Sequence, residues 1–171
     1  MRNPVPNRKM IKHQKAHFVT ICTYNRQNLF GQVKNGKMRL NSAGKIIKYC
    51  WLDQPKLHNE LILDEFVIMP NHLHALVFIQ NPNLLKNDLS LISASSDSSQ
   101  KIFQIMHEFK TCSSLLIASL ENIEPNLIWQ KNYTQNIVQN DYELNYTRQY
   151  IVNNAFSWDL DPENMAKEVI L

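Results

Sequence analysis

The sequence predicts an α+β fold, an antiparallel sheet with helices packed on it. Two observations lead there. Apolar and β-branched residues crowd 17–24 and 61–79 with strand-like patterning, whereas over 41–57 and 101–120 they recur at three and four. The resulting order is strand, helix, paired strands, helix, strand, helix, which fits a sheet with helices on it better than alternating parallel units. At 171 residues the chain is expected to form one domain, 1–171.

His17 to Tyr24 (HFVTICTY) reads as a strand. Residues 33–40 (VKNGKMRL) read as a small hairpin with Asn35-Gly36 as its turn. Asn41 or Ser42 then caps a helix running to about Leu57, with Ile46, Ile47, Cys50, Trp51 and Leu57 as its apolar stripe. Two apolar runs follow, Leu61–Met69 and His72–Ile79, separated by Pro70-Asn71. Proline presets the first turn position and asparagine tolerates a left-handed second one, so this is a hairpin, expected in the middle of the sheet. Residues 81–100 are rich in Ser, Asn and Asp and are expected to form a mobile surface loop. Lys101–Leu120 reads as a helix, its stripe being Ile102, Ile105, Met106, Phe109, Cys112, Leu115 and Leu116. Leu127–Val138 reads as a short strand and a turn around Trp129 and Tyr133, and a last helix begins at Asn140 and runs to Asn153 or Asn154. Asn140 and Glu143 stand at the spacing of a capping box.

Composition sets limits on function. Hydrophobic residues make up 44%, enough for a core, and charged residues only 19%, too few for a disordered chain. A net charge of +3 suits a nucleic-acid partner without requiring one. Arg2, Arg8, Lys9, Lys12 and Lys15 make 1–15 a basic arm able to follow a phosphate backbone, although charge alone equally describes a solvated tail. Cys22, Cys50 and Cys112 are odd in number and far apart, which argues against a zinc ribbon or a disulfide framework and for buried thiols. The first seventeen residues lack the apolar core of a secretory signal, and no apolar run approaches the roughly 20 residues that span a bilayer. A cytoplasmic protein without membrane contact is expected.

His72-Leu73-His74 carries the chemistry. Residues two apart on a strand point to one face, so the two imidazoles sit together while Leu73 turns to the other side. Each ring needs a hydrogen-bond partner, and protonating both would be repulsive. A shared metal ion resolves both problems. A bare His-x-His is more often a pair of satisfied or surface histidines, so the flanking residues decide.

Those residues, Phe66-Val67-Ile68-Met69-Pro70-Asn71-His72-Leu73-His74-Ala75-Leu76-Val77, resemble the MPNHxH signature of the HUH single-tyrosine transposases. More narrowly they look like the REP-associated tyrosine transposases, related to the insertion-sequence-200-like enzymes. The resemblance extends over most of the chain. His17-Phe18-Val19-Thr20-Ile21-Cys22-Thr23, with Asn25-Arg26 and Leu29-Phe30-Gly31, is similar to that family's first strand and turn. Trp129-Gln130-Lys131-Asn132-Tyr133 resembles its WQxxY element, and Tyr150-Ile151-Val152-Asn153-Asn154 its YIxxN segment. The resemblance implies a ferredoxin-like sheet, similar to that of RNA-recognition domains. It implies that Tyr150 is the nucleophile and that Asn154, one helical turn on, is a third metal ligand beside His72 and His74. The insertion-sequence relatives carry the longer Gln at that ligand position. Ala155 stands here where the family more often has Pro, which weakens the helix stop and touches no chemistry.

A metal-dependent single-stranded DNA endonuclease and strand transferase is therefore expected, using Mg²⁺ or Mn²⁺ and a 5′-phosphotyrosine intermediate on hairpin-bearing DNA. The resemblance leaves monomer and homodimer open, because the insertion-sequence relatives pair each tyrosine with the partner's histidines and the REP-associated branch works alone. Trp129, Tyr133 and Tyr24 are candidates for stacking bases, and Arg26, Lys110, Lys131 and Arg148 for holding phosphates. Any of these is equally an ordinary packed or solvated side chain. Two rivals remain: a non-catalytic single-stranded nucleic-acid-binding module on the same fold, and a metallohydrolase drawing a carboxylate from Asp64 or Glu65.

Overall fold

A computed structural model describes residues 14–80 and 98–164. Most of the basic arm and residues 81–97 of the expected loop lie outside the described residues. The first strand, β1, is Ala16–Cys22; β2 (Gly31–Lys34) and β3 (Lys37–Leu40) follow, then helix α1 (Ser42–Leu57). Strands β4 (Leu61–Ile68) and β5 (His72–Ile79) precede α2 (Ser98–Glu121), β6 (Thr134–Val138) and α3 (Asp141–Asn153).

Four strands form one antiparallel sheet in the order β4-β5-β1-β6. Leaving aside the β2–β3 hairpin, the chain reads strand, helix, strand, strand, helix, strand, the ferredoxin-like arrangement. The hairpin around Pro70-Asn71 does not lie in the middle of the sheet, as its apolar strands suggested. It forms one side, with β4 at the edge and β5 inside it. β4 is nonetheless partly covered on both faces, by α1 and α3, which explains its apolar composition.

Local chemistry accounts for the element ends. Asn35 and Gly36 take φ values of 51° and 67°, the left-handed pair that a tight two-residue hairpin needs. Asn41 caps α1 by accepting from Gly44 N at 2.9 Å, and Asn140 caps α3 by accepting from Glu143 N at 2.9 Å. The Glu143 carboxylate reaches back to Gln139 N, one residue before the cap, so the box closes one position early.

The sheet has an apolar core on each face. Val19, Ile21, Leu73, Ala75 and Val77 pack with Ile47, Trp51, Ile105 and Phe109 of α1 and α2. Ala16, Leu76 and Phe78 pack with Ile151 of α3 on the other face. The α2 stripe departs from expectation after Phe109. Ser113 and Ile117 are buried, whereas Cys112, Leu115 and Leu116 are exposed. From Phe109 the buried line advances by fours, and Ser113 is tolerated there because its hydroxyl bonds Phe109 O and receives Trp129 Nε1–H at 3.0 Å. The helix also starts at Ser98, so 98–100 are not part of a loop.

Candidate functional site

β5 presents His72 and His74 on the α3 face, and their ring centroids lie 4.2 Å apart. Both are buried, at 0% and 3% exposure. Their outer nitrogens are spoken for. Thr20 stands directly across from His74 in the β1–β5 register, and its hydroxyl meets His74 Nδ1 at 2.8 Å. His72 Nδ1 meets Asn71 Oδ1 at 2.9 Å. The Asn71 amide group already donates to Arg26 O and Glu163 O, so its oxygen must face the ring and His72 Nδ1 carries the proton. The bond from Asn71 thus leaves a lone pair on His72 Nε2, turned inward, while the Thr20 hydroxyl holds the His74 ring in place and can either donate to its Nδ1 or accept from it.

Helix α3 brings Tyr150 and Asn154 to the same place. Thr147 and Ile151 bury its inner face, and four-residue spacing sets Tyr150 and Asn154 side by side on the flank. The Tyr150 hydroxyl lies 3.3 Å from His74 Nε2 and 3.4 Å from Asp161 Oδ2. Asn154 Nδ2 donates to the same Asp161 oxygen. His72 Nε2 and Asn154 Oδ1 are buried without a hydrogen-bond partner. Asn154 lies close enough to favour protonation of His72 slightly, yet no bond of normal geometry joins the two atoms. One atom each from His72, His74 and Asp161 falls within a 4.8 Å cluster. Two inward imidazole nitrogens, a carboxylate and an orphaned amide oxygen make a donor set that fits a divalent cation, and no other group nearby satisfies the orphans.

Electrostatics match this composition. Burial, then the charge of neighbouring His74 and Arg26, holds His72 well below the ordinary imidazole range. Burial brings His74 down to about 4, opposed by Asp161. Both rings are therefore neutral at pH 7, as metal ligands must be. Burial and the Asp161 carboxylate push Tyr150 up to about 12, so the phenol keeps its proton until something removes it. A cavity of about 300 Å³ opens on this cluster, lined by Tyr146, Tyr150, Asn154, Leu160 and Asp161 among others. Tyr146 is 65% exposed and points to solvent beside the cavity.

The other sequence candidates separate. Arg26 forms an ion pair with Glu163 beside His72. Arg148 clasps Asp64 of β4 through Nε at 3.0 Å and a terminal nitrogen at 2.5 Å, and the Asp64 side chain is fully buried. That clasp ties α3 to the sheet two residues before Tyr150, and it engages Asp64, one of the two carboxylates the hydrolase rival could draw on. Lys110 donates to Gln130 O and Lys131 O, and Trp129 packs in the core between Phe30 and Phe109. Tyr24, Lys110, Trp129, Lys131 and Tyr133 share a cavity on the opposite face of the sheet.

Sequence reading missed Asp161. It sits outside the matched blocks and has no fixed spacing to the histidines; a short turn at Trp158–Leu160 returns it to them. The Asp161-Pro162 dipeptide marks a turn but says nothing of a ligand. Thr20 and Asn71 lay within quoted motifs, yet only strand pairing shows that they hold the rings.

No protein-family profile matches the chain. An uncharacterized protein of Haemophilus influenzae is 34% identical over 150 residues, covering 85% of this chain and 82% of its own length. Among solved structures, a REP-associated tyrosine transposase bound to a REP hairpin has the same fold at a TM-score of 0.53, with 13% identity, 91% of this chain and 74% of that one. A Deinococcus radiodurans R1 protein, a candidate transposase, is matched at a TM-score of 0.49 with 14% identity over 82% of this chain and 91% of its own. Among the described residues, no helix is long and apolar enough to cross a membrane.

Proposed function

We propose that this chain, which belongs to one family with the Haemophilus influenzae protein, is a transposase-type enzyme that nicks and rejoins single-stranded, hairpin-bearing DNA with Tyr150 as nucleophile. One observation carries the reading: the Tyr150 hydroxyl lies 3.3 Å from His74 Nε2, beside two buried donor atoms that lack partners. The fold shared with a hairpin-bound tyrosine transposase supports it.

His72 and His74, through Nε2, would hold Mg²⁺ or Mn²⁺ together with Asn154 Oδ1 and Asp161. A cation held by these residues would supply Lewis acidity toward the scissile phosphate. Nitrogen donors lean toward the later metal, so Mn²⁺ is expected to support the reaction at least as well as Mg²⁺. Asp161 Oδ2, 3.4 Å from the phenol, would take the Tyr150 proton as the phenol oxygen bonds to phosphorus. The bond from phosphorus to the 3′ oxygen breaks, and that oxygen leaves as a hydroxyl after gaining a proton from solvent. The 5′-phosphotyrosine keeps the phosphodiester's energy, so the 3′ hydroxyl of another strand can reverse the step without ATP. The set drawn from this one chain supports a site that works without a partner's tyrosine, whether in a monomer or in a homodimer.

Labelled hairpin-bearing single-stranded DNA, incubated with the protein and Mn²⁺, should give an adduct that survives a denaturing gel. Tyr150→Phe should abolish the adduct while DNA binding persists. An adduct that survives Tyr150→Phe but disappears in Tyr146→Phe moves the nucleophile by one turn. Binding with no adduct in the unaltered protein would favour the non-catalytic module. The His72, His74 and Asp161 group also favours a metal-assisted hydrolase, which would reveal itself as cleavage with no covalent species.

A further inference from the structure

The α2 side of the sheet holds a second and larger cavity, of about 680 Å³, between α2 and residues 125–133. Its floor is Trp129, only 5% exposed and locked by its bond to Ser113. Its walls include two aromatic rings with faces open to solvent, Tyr24 at 39% and Phe103 at 62% exposure, and the exposed Leu115. Lys110 and Lys131 stand along it, and among the described residues no aspartate or glutamate lines it. Lys110 is committed: its two bonds to Gln130 O and Lys131 O fix the segment that carries Lys131. Exposed aromatic walls, a cationic rim and the absence of carboxylates suit a planar ring attached to phosphate, and disfavour an acidic-free apolar peptide, which would gain nothing from the lysine rim.

The cavity opens at the same end of the sheet as the candidate catalytic centre, on its other face. Cys22 pairs with His72 on one side of β1, and the next residue, Thr23, bridges Trp129 on the other. Two strand spacings separate the two backbones, roughly 10 Å. The turn Tyr24–Arg26 straddles the gap: Tyr24 lines the cavity and Arg26 lies beside His72. Asn25 and Arg26 hold left-handed φ values of 50° and 51°, which lets successive side chains diverge to the two sides of the sheet end.

We propose that this cavity receives an unpaired nucleobase of the strand that flanks the phosphodiester cut by Tyr150, stacked on Tyr24 and Phe103 with Lys131 against its phosphate. The proposal rests on the function argued above and assigns to it a subsite for the flanking strand. Base stacking on aromatic side chains holds single strands without requiring a fixed sequence.

The test is fluorescence anisotropy with a labelled DNA hairpin carrying unpaired flanks, and a set in which single flank nucleotides are made abasic. An abasic site at one flank position should weaken binding by the unaltered protein about tenfold. The Tyr24→Ala, Phe103→Ala double variant, altered only at solvent-facing rings, should bind intact DNA about tenfold more weakly and no longer distinguish it from that abasic DNA. Tyr49→Ala, an exposed aromatic of α1 outside the cavity, should behave as the parent. If the double variant still senses the abasic position, or binds intact DNA as the parent does, the cavity holds no base and the proposal is wrong. The adduct assay keeps the two ideas apart. Cavity-dependent binding with no Tyr150 adduct would leave the subsite standing and remove the transposase reading, whereas adduct formation with cavity-independent binding would do the reverse.

Discussion

Strand β5 buries both its faces, yet the two faces are built on different principles. Leu73, Ala75 and Val77 vanish into a core of aliphatic and aromatic carbon under α1 and α2. His72 and His74, one residue out of phase with them, are as deeply buried under α3 among hydroxyl, amide and carboxylate groups. On the first side, exclusion of water is itself the stabilising term. On the second, exclusion of water penalises every polar atom left unpaired, and His72 Nε2 and Asn154 Oδ1 are left so. On the function proposed above, this arrangement would hold ligands ready, at some loss of stability when no ligand is bound.

Neighbouring substitutions break this contrast most sharply. His72→Ala should abolish the covalent adduct while leaving the fold intact, and Leu73→Ala should lower unfolding free energy by about 2–5 kcal/mol while leaving the adduct yield per folded molecule unchanged. Urea unfolding and the adduct gel, run on both, give the comparison; loss of folding in His72→Ala would mean that the imidazole is a packing residue.

The clasp between α3 and β4 is the next largest effect. Arg148→Ala strands the buried Asp64 carboxylate and should destabilise the protein by about 3–5 kcal/mol. Adduct formation should fall in the fraction that stays folded, because α3 then loses the tie nearest Tyr150. A variant with normal adduct yield and normal stability would show that the helix is positioned by Ile151 and its apolar contacts alone.

The smallest effect concerns the ligands directly. Mn²⁺ at a hundred times its dissociation constant should raise unfolding free energy by about 2.7 kcal/mol, read as a higher melting temperature. His74→Ala should remove that rise. An equal rise in both proteins would place the ion elsewhere.

The strands, helices and caps were largely legible because each rests on local chemistry: Asn35-Gly36 for a tight turn, Asn41 and Asn140 for caps, apolar spacing for α1 and the first half of α2. The second half of α2 was not, because whether Ser113 or Leu116 faces inward depends on Trp129, sixteen residues beyond Ser113, needing an acceptor for its indole N–H. The site was legible where it is local, in the alternation of His72 and His74 and the one-turn spacing of Tyr150 and Asn154. Among the phosphate candidates, charge alone could not tell Arg148, consumed by Asp64, or Lys110, consumed by two carbonyls, from Lys131 at a cavity rim.

By itself, then, the sequence determined periodicity, turns, caps and which residue types stand at a fixed short spacing, since these depend on neighbours a few bonds away. The tertiary structure alone decided which strand is at the edge, that Asp161 joins the histidines, that Thr20 and Asn71 hold their rings, and which cations are already paired. Those outcomes are distances between residues far apart in the chain, and only the packed sheet and its helices fix them.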